Sequence, residues 1–162
     1  LERQYGAISY RFSTILRDAL NRLGVPTSRE NIIALSTWAR QTYGEDLLAK
    51  AMARDVEESD SPLIIVDGAR RLADIKYLSQ LAGFHLISVD AAPEIRYQRM
   101  IARNENPGEA EKTYEEFLAD HKKETEITIP EIMATAEFSL NNDGSLEELY
   151  AQIDKMMEKV KD

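Results

Sequence analysis

Cysteine is absent from all 162 residues. That excludes a disulfide scaffold and any Cys-ligated zinc centre, and it fits a cytoplasmic address. No apolar run approaches the roughly 18 residues that a membrane span needs, so no membrane partner is expected. Positive charge is scarce: 20 Lys and Arg stand against 29 Asp and Glu, a formal net charge of −9. A general nucleic-acid binder carries a basic face, and this balance argues against that class. The two histidines, His85 and His121, stand in no metal-ligand spacing. No Gly-x-Ser-x-Gly nucleophile motif occurs. Internal repeats, low-complexity tracts and long linkers are also missing, so residues 1–162 suit a single domain.

What is present is an alternation of short apolar runs and helical periodicity. Residues 7–10 predict a short strand. Ile15, Leu16, Ala19, Leu20 and Leu23 share one helix face over 13–23, and Gly24 stands where a C-cap glycine belongs. Thr27 and Glu30 read as a capping box that opens a second helix through about Thr42, which Gly44 breaks. A third helix is predicted over 45–58, with Leu47, Leu48, Ala51 and Met52 inward. Trp38 and Tyr43 are expected to be packing residues of this helical segment.

Residues 63–67, LIIVD, form a continuous apolar run ending in an acid, as strands buried on both faces do. A helix over 72–82 and a second such strand over 84–90 follow, with His85 expected half-buried. Pro93 falls at the first position of a helix reaching Arg103. Residues 104–113 read as a polar loop, 114–125 and 129–136 as helices, and 137–140 as a last strand. Ser145 and Glu148 form a capping box for the closing helix, 146–160. Strands alternating with helices predict an α/β fold with a parallel sheet, whose ligands bind at the strands' carboxyl ends. Asp67, Gly68, Arg70 and Arg71 stand at one such end, Asp90 at another.

Four groups of basic residues stand out. Arg11 and Arg17 flank Ser13 and Thr14 at a strand-to-helix junction, and Arg17 shares a helix face with Ser13. Arg70 and Arg71 follow the apolar strand. Arg96, Arg99 and Arg103 lie on one helix, with Arg99 and Arg103 spaced i, i+4. His121, Lys122 and Lys123 follow the polar loop and read as a solvated face. A guanidinium fork matches phosphate oxygens, so several forks at one crevice suit a phosphorylated ligand; a surface ion-pair network is the plainer alternative. Asp67 suits Mg²⁺ positioning or a proton-accepting role, with a helix N-cap as its alternative. Gly68 lets the backbone come close to a ligand.

Four segments carry a family resemblance: SYRFSTILR (9–17), VDGARR (66–71), RYQRMIAR (96–103) and NNDGSLEELYAQI (141–153). In this order and spacing the chain resembles the P-loop nucleoside-monophosphate-kinase-like proteins, both adenylate-kinase-like and dephospho-CoA-kinase-like, over essentially its whole length. The resemblance implies a three-layer α/β/α P-loop NTPase fold with a mostly parallel sheet. It implies an acceptor-binding helical insert over 13–58 and a short lid over 104–125.

The implied activity is ATP-dependent phosphoryl transfer to a nucleotide or nucleotide-like acceptor, by a monomer or homodimer with ATP and Mg²⁺. Ser13, Arg17, Gly68 and Arg71 or Arg70 would hold the acceptor. Arg71 matches the family's Asp-Gly-x-x-Arg spacing, and Arg70 competes for the role. Arg99 and Arg103 would stabilise the transferring group, Asp67 would help position Mg²⁺, and Asn142 and Asp143 would border the donor base. A catalytically inactive nucleotide-binding or protein-interaction domain is the alternative.

Three features depart from the family pattern. Thr14 stands where many relatives have an aspartate. The short lid lacks arginines between 104 and 113. No Gly-x-x-x-x-Gly-Lys-Ser/Thr loop occurs anywhere. LERQYG (1–6) looks like the tail of the helix that follows such a loop. The resemblance therefore implies a strand, a P-loop and most of a helix upstream of Leu1, on the order of 15–25 residues.

Overall fold

The computed structural model describes residues 1–104, 109–120 and 127–160. It is mixed α/β and divides into two compact units, Leu1–Phe84 and His85–Asp162.

In the first unit, α1 (Glu2–Tyr5) ends at Gly6, whose φ of 69° is the left-handed turn a glycine allows. Then come β1 (Ile8–Arg11), α2 (Phe12–Arg22), α3 (Arg29–Tyr43), α4 (Leu47–Glu57), β2 (Ile64–Asp67) and α5 (Leu72–Ile75). A single 3-10 turn, Leu78–Gln80, follows. β1 and β2 pair in parallel, Ile8 opposite Ile64 through Arg11 opposite Asp67. A parallel pair needs a crossover, and α2, α3 and α4 supply it.

The core of this unit gathers on α4. Met52, 1% exposed, packs with Ala53 and Leu78, and Tyr10, Phe12, Ile15, Val56 and Val66 close around them. The helix thus seals one face of the strand pair. Its buried positions are Leu48, Ala49, Met52 and Ala53; Leu47 and Ala51, expected inward, are only half-buried.

Other expectations shift as well. Ser28, not Thr27, caps α3, its Oγ accepting the Asn31 N–H at 3.2 Å. Ile64, Ile65 and Val66 are half-buried rather than enclosed on both faces. The helix expected over 72–82 stops at Ile75 and resumes as the 3-10 turn. The break falls where Lys76 and Tyr77 both reach the Asp46 carboxylate, a tertiary contact that local helix propensity does not register. Trp38 and Tyr43 are exposed and meet edge-on at 5.5 Å, because α3 turns Ser36 and Ala39 inward instead.

The second unit runs β3 (Ile87–Asp90), α6 (Pro93–Arg103), α7 (Tyr114–Asp120), α8 (Ile129–Met133), β4 (Phe138–Asn141) and α9 (Leu146–Val160). β3 and β4 are parallel, with Ser88 opposite Ser139 and Asp90 opposite Asn141. The paired serines hydrogen-bond at 2.9 Å. β3 is shorter than the expected 84–90 strand, and its Val89 and Asp90 are exposed. His85 is half-buried, with Nδ1 2.8 Å from the Glu137 carboxylate. Tyr97, Tyr114 and Phe117 form an aromatic cluster between α6 and α7, with ring centroids 5.3–6.2 Å apart. The capping box at α9 forms: Ser145 N–H donates to Glu148 at 2.8 Å, and Glu148 N–H to Ser145 Oγ at 3.2 Å. Of the lid region 104–125, residues 105–108 and 121–125 lie outside the described residues, and with them His121, Lys122 and Lys123.

Candidate functional site

The register of β1 and β2 ends both strands on charge. Arg11 and Asp67 are directly opposed, and Arg11 Nε lies 3.2 Å from Asp67 Oδ2. Both side chains are mostly exposed, so the pair contributes on the order of 0.5 kcal/mol. It places the Asp67 carboxylate beside the Arg11 guanidinium at the strand ends. Gly68 follows with φ 91° and open space where a Cβ would stand. That backbone conformation is what glycine permits and other residues resist.

Asp74 shapes the rest of the segment. Its buried carboxylate accepts the backbone N–H groups of Arg70 and Arg71, each at 3.0 Å. Its second oxygen accepts Arg71 Nη2 at 3.1 Å. The Arg71 guanidinium is therefore oriented, and its Nη1 reaches Glu45 Oε2 at 3.4 Å. Arg40 approaches the same oxygen, its Nε at 3.7 Å, while its Nη1 donates to the buried Ser36 hydroxyl. The side chain of Arg70 is exposed, in contrast to the half-buried Arg71.

Ser13 and Arg17 lie on α2, which packs on α3 and α4. Ser13 is half-buried; Arg17 is exposed and forms no ion pair among the described residues. Arg17 takes part in none of the hydrogen bonds and ion pairs that hold Arg71 among the described residues. The first unit thus brings together Asp67, Gly68, Arg70 and Arg71, and adds Arg40 and Glu45 to them.

Asp46, next to Glu45, is held separately. Tyr77 OH donates to its carboxylate, and Lys50 and Lys76 each approach at 3.2 Å. The Tyr77 hydroxyl, then the two ammonium groups, hold the Asp46 carboxyl far below the usual aspartate range. A cleft of about 310 Å³ nearby is lined by Lys50, Arg54, Tyr77 and Gln80 among others, and by none of the residues singled out from sequence.

In the second unit, Arg99 faces the turn after β4. Its guanidinium donates to the Asn142 carbonyl and, at 3.0 Å, to that of Gly144. Asp143 Oδ1 accepts the Ala92 N–H at 2.6 Å, and Oδ2 accepts Asn141 Nδ2 at 2.8 Å. The Ala92 N–H, then Asn141 and the Arg99 charge, hold the Asp143 carboxyl below its usual range. Arg99, Asn142 and Asp143 therefore form one tied turn at the start of α6. Arg103, one turn further along, points elsewhere: its Nη2 lies 3.6 Å from Glu109.

Among the described residues no three Asp, Glu or His side chains group as metal ligands. Asp67, already paired with Arg11, does not make a Mg²⁺ site by itself. No helix among the described residues is long and apolar enough to cross a membrane.

No protein-family model matches the chain. Curated relatives do. A UPF0200 protein of Hyperthermus butylicus is 28% identical over 160 residues, covering 99% of this chain and 85% of the relative. One of Staphylothermus marinus is 27% identical, covering 98% and 82%. One of Methanoregula boonei is 30% identical over 142 residues, covering 86% and 76%. The chain belongs to the UPF0200 family. The name assigns its members no reaction, so the chemistry of this UPF0200 chain rests on its own residues.

Three residues of the site escaped the sequence reading. Asp74 sits inside a predicted helix, where an acid reads as solvent-facing; its burial comes from the backbone folding onto it. Glu45, which Arg40 also approaches, meets Arg71 across 26 residues of chain, a pairing that no local pattern announces. The run Arg71-Leu72-Ala73-Asp74 does hold one signal, an acid three residues after a helix-flanking position.

Proposed function

We propose that this UPF0200 protein transfers the γ-phosphoryl group of ATP to a nucleotide or nucleotide-like acceptor, on a P-loop NTPase-like three-layer α/β/α fold. One observation carries the proposal most directly. Arg71 stands just beyond the carboxyl end of a parallel strand, with its guanidinium aligned by a buried carboxylate. Ligands of parallel sheets bind at that end, and an aligned fork suits a phosphate better than a mobile one. The crossover helices α2–α4 rise from the same strand pair and supply the acceptor side, with Ser13 and Arg17 on α2.

In this reading Arg71 holds the acceptor phosphate, and Gly68 admits it close to the backbone. Arg103 stabilises charge on the transferring group. Arg99 first holds the 142–144 turn, and through it Asn142 and Asp143, which border the donor base. ATP binds as a substrate. The loop that would cradle its phosphates is not among these 162 residues.

A second reading has its own support. Asp67 is engaged by Arg11, and the Arg99 fork by two carbonyls. Those contacts suit a domain that binds a nucleotide or a protein without turning it over. Incubation of the natural gene product with ATP, Mg²⁺ and a panel of nucleoside monophosphates and dephospho-CoA separates the two. Acceptor-dependent ADP formation supports the kinase. Binding of a monophosphate with no ADP formed supports the inactive domain.

A further inference from the structure

We propose that Glu45 is an exchangeable internal counter-anion: its carboxylate occupies the place, between Arg40 and Arg71, that a phosphate oxyanion of the ligand takes. The inference rests on the kinase reading for the identity of the ligand. It adds Arg40 as a second binding arginine and Glu45 as the group that must leave.

Arg40, in the last turn of α3, and Arg71, just before α5, converge on one oxygen of Glu45 at 3.7 and 3.4 Å. Each arginine is held from behind by a buried partner, Arg40 by Ser36 and Arg71 by Asp74. Their side chains are 22% and 30% exposed, whereas that of Glu45 is 69% exposed. The cations are fixed and the anion is loose.

Both distances exceed the roughly 2.7–2.9 Å of a good charge-assisted hydrogen bond. One carboxylate oxygen shared by two guanidiniums leaves donor capacity unused. A phosphomonoester brings three terminal oxygens and up to two negative charges, a closer match to two forks.

The local backbone favours exchange. Glu45 follows Gly44, whose φ of 106° and ψ of 149° end α3 outside helical geometry. Asp46, the next residue, is anchored by Lys50, Lys76 and Tyr77. Glu45 therefore lies between a glycine and a fixed point, and its departure would leave the Asp46 contacts in place.

Calorimetric titration of the full protein with inorganic phosphate, and separately with AMP and CMP, tests this at fixed low salt. Glu45→Gln and Glu45→Ala should each tighten phosphate binding about threefold to fivefold, the scale on which an exposed ion pair competes. Arg40→Ala should weaken binding about tenfold, and in that background Glu45→Gln should bring no gain. The Arg40 and Arg71 Nε–Hε resonances should shift on adding phosphate.

Unchanged or weaker phosphate binding by both Glu45 variants, with unaltered thermal unfolding, overturns the proposal. So does a gain that persists without Arg40, or phosphate binding by no variant. Nucleotide phosphorylation that proceeds while both Glu45 variants bind like wild type sinks this inference and leaves the kinase standing. Arg40-dependent phosphate binding that Glu45→Gln strengthens, with no nucleotide bound, does the reverse.

Discussion

Arg11 and Asp67 face each other as the last residues of two parallel strands, and their side chains pair at 3.2 Å. Both are mostly exposed, so a double-mutant cycle on unfolding should give a coupling below about 1 kcal/mol. Asp67→Asn should therefore leave stability nearly intact. If Asp67 serves phosphoryl transfer, the same variant should lower turnover more than about tenfold, the scale of a general acid–base or positioning group. Full turnover in folded Asp67→Asn removes the residue from the mechanism.

Asp74 should matter for stability more than its place in sequence suggests. It accepts two backbone N–H groups and the Arg71 guanidinium from a buried position. Asp74→Ala leaves those donors without their acceptor and should cost about 2–3 kcal/mol in urea unfolding. It should also weaken acceptor binding without touching the ligand, by freeing Arg71. A variant as stable as wild type contradicts this role.

The two arginines of α6 should behave differently. Arg99→Ala removes both hydrogen bonds to the 142–144 turn. Faster amide exchange at Asn142, whose N–H donates to the Asp90 carbonyl, is the expected result. Arg103→Ala should leave that turn as it is and lower kcat with little change in acceptor KM, as loss of transition-state stabilisation does. A rise in KM alone would make Arg103 a binding residue instead.

Asp46 offers a pH test with a definite sign. Its carboxyl is held well down by the Tyr77 hydroxyl and by Lys50 and Lys76. A depressed folded-state pKa adds stability that is full above the unfolded aspartate pKa, near 3.9, and is lost as pH falls toward the folded value. Asp46→Asn should melt below wild type from about pH 7 to pH 5. The gap should narrow below about pH 4. A gap that widens in acid would contradict the assignment.

Much of the fold was legible locally. The strand over 64–67 announced itself by an apolar run ending in an acid, and α9 by a capping box whose two hydrogen bonds both form. These signals lie within a few residues of what they specify. The early end of α5 was not legible, because Lys76 and Tyr77 answer to Asp46, some 30 residues away. The candidate site divides the same way. The Asp67–Arg71 segment was readable as a motif. Its orientation was not, since that depends on Asp74 being buried and on Arg40 and Glu45 arriving from the last turn of α3 and the connection after it.

The most direct test of the central claim is phosphorus NMR of the natural gene product with ATP, Mg²⁺ and one acceptor at a time. Phosphoryl transfer predicts that ADP and a phosphorylated acceptor appear together in equal amounts, and that Arg71→Ala suppresses both. ATP that stays intact with every acceptor, from a folded protein, would contradict the kinase.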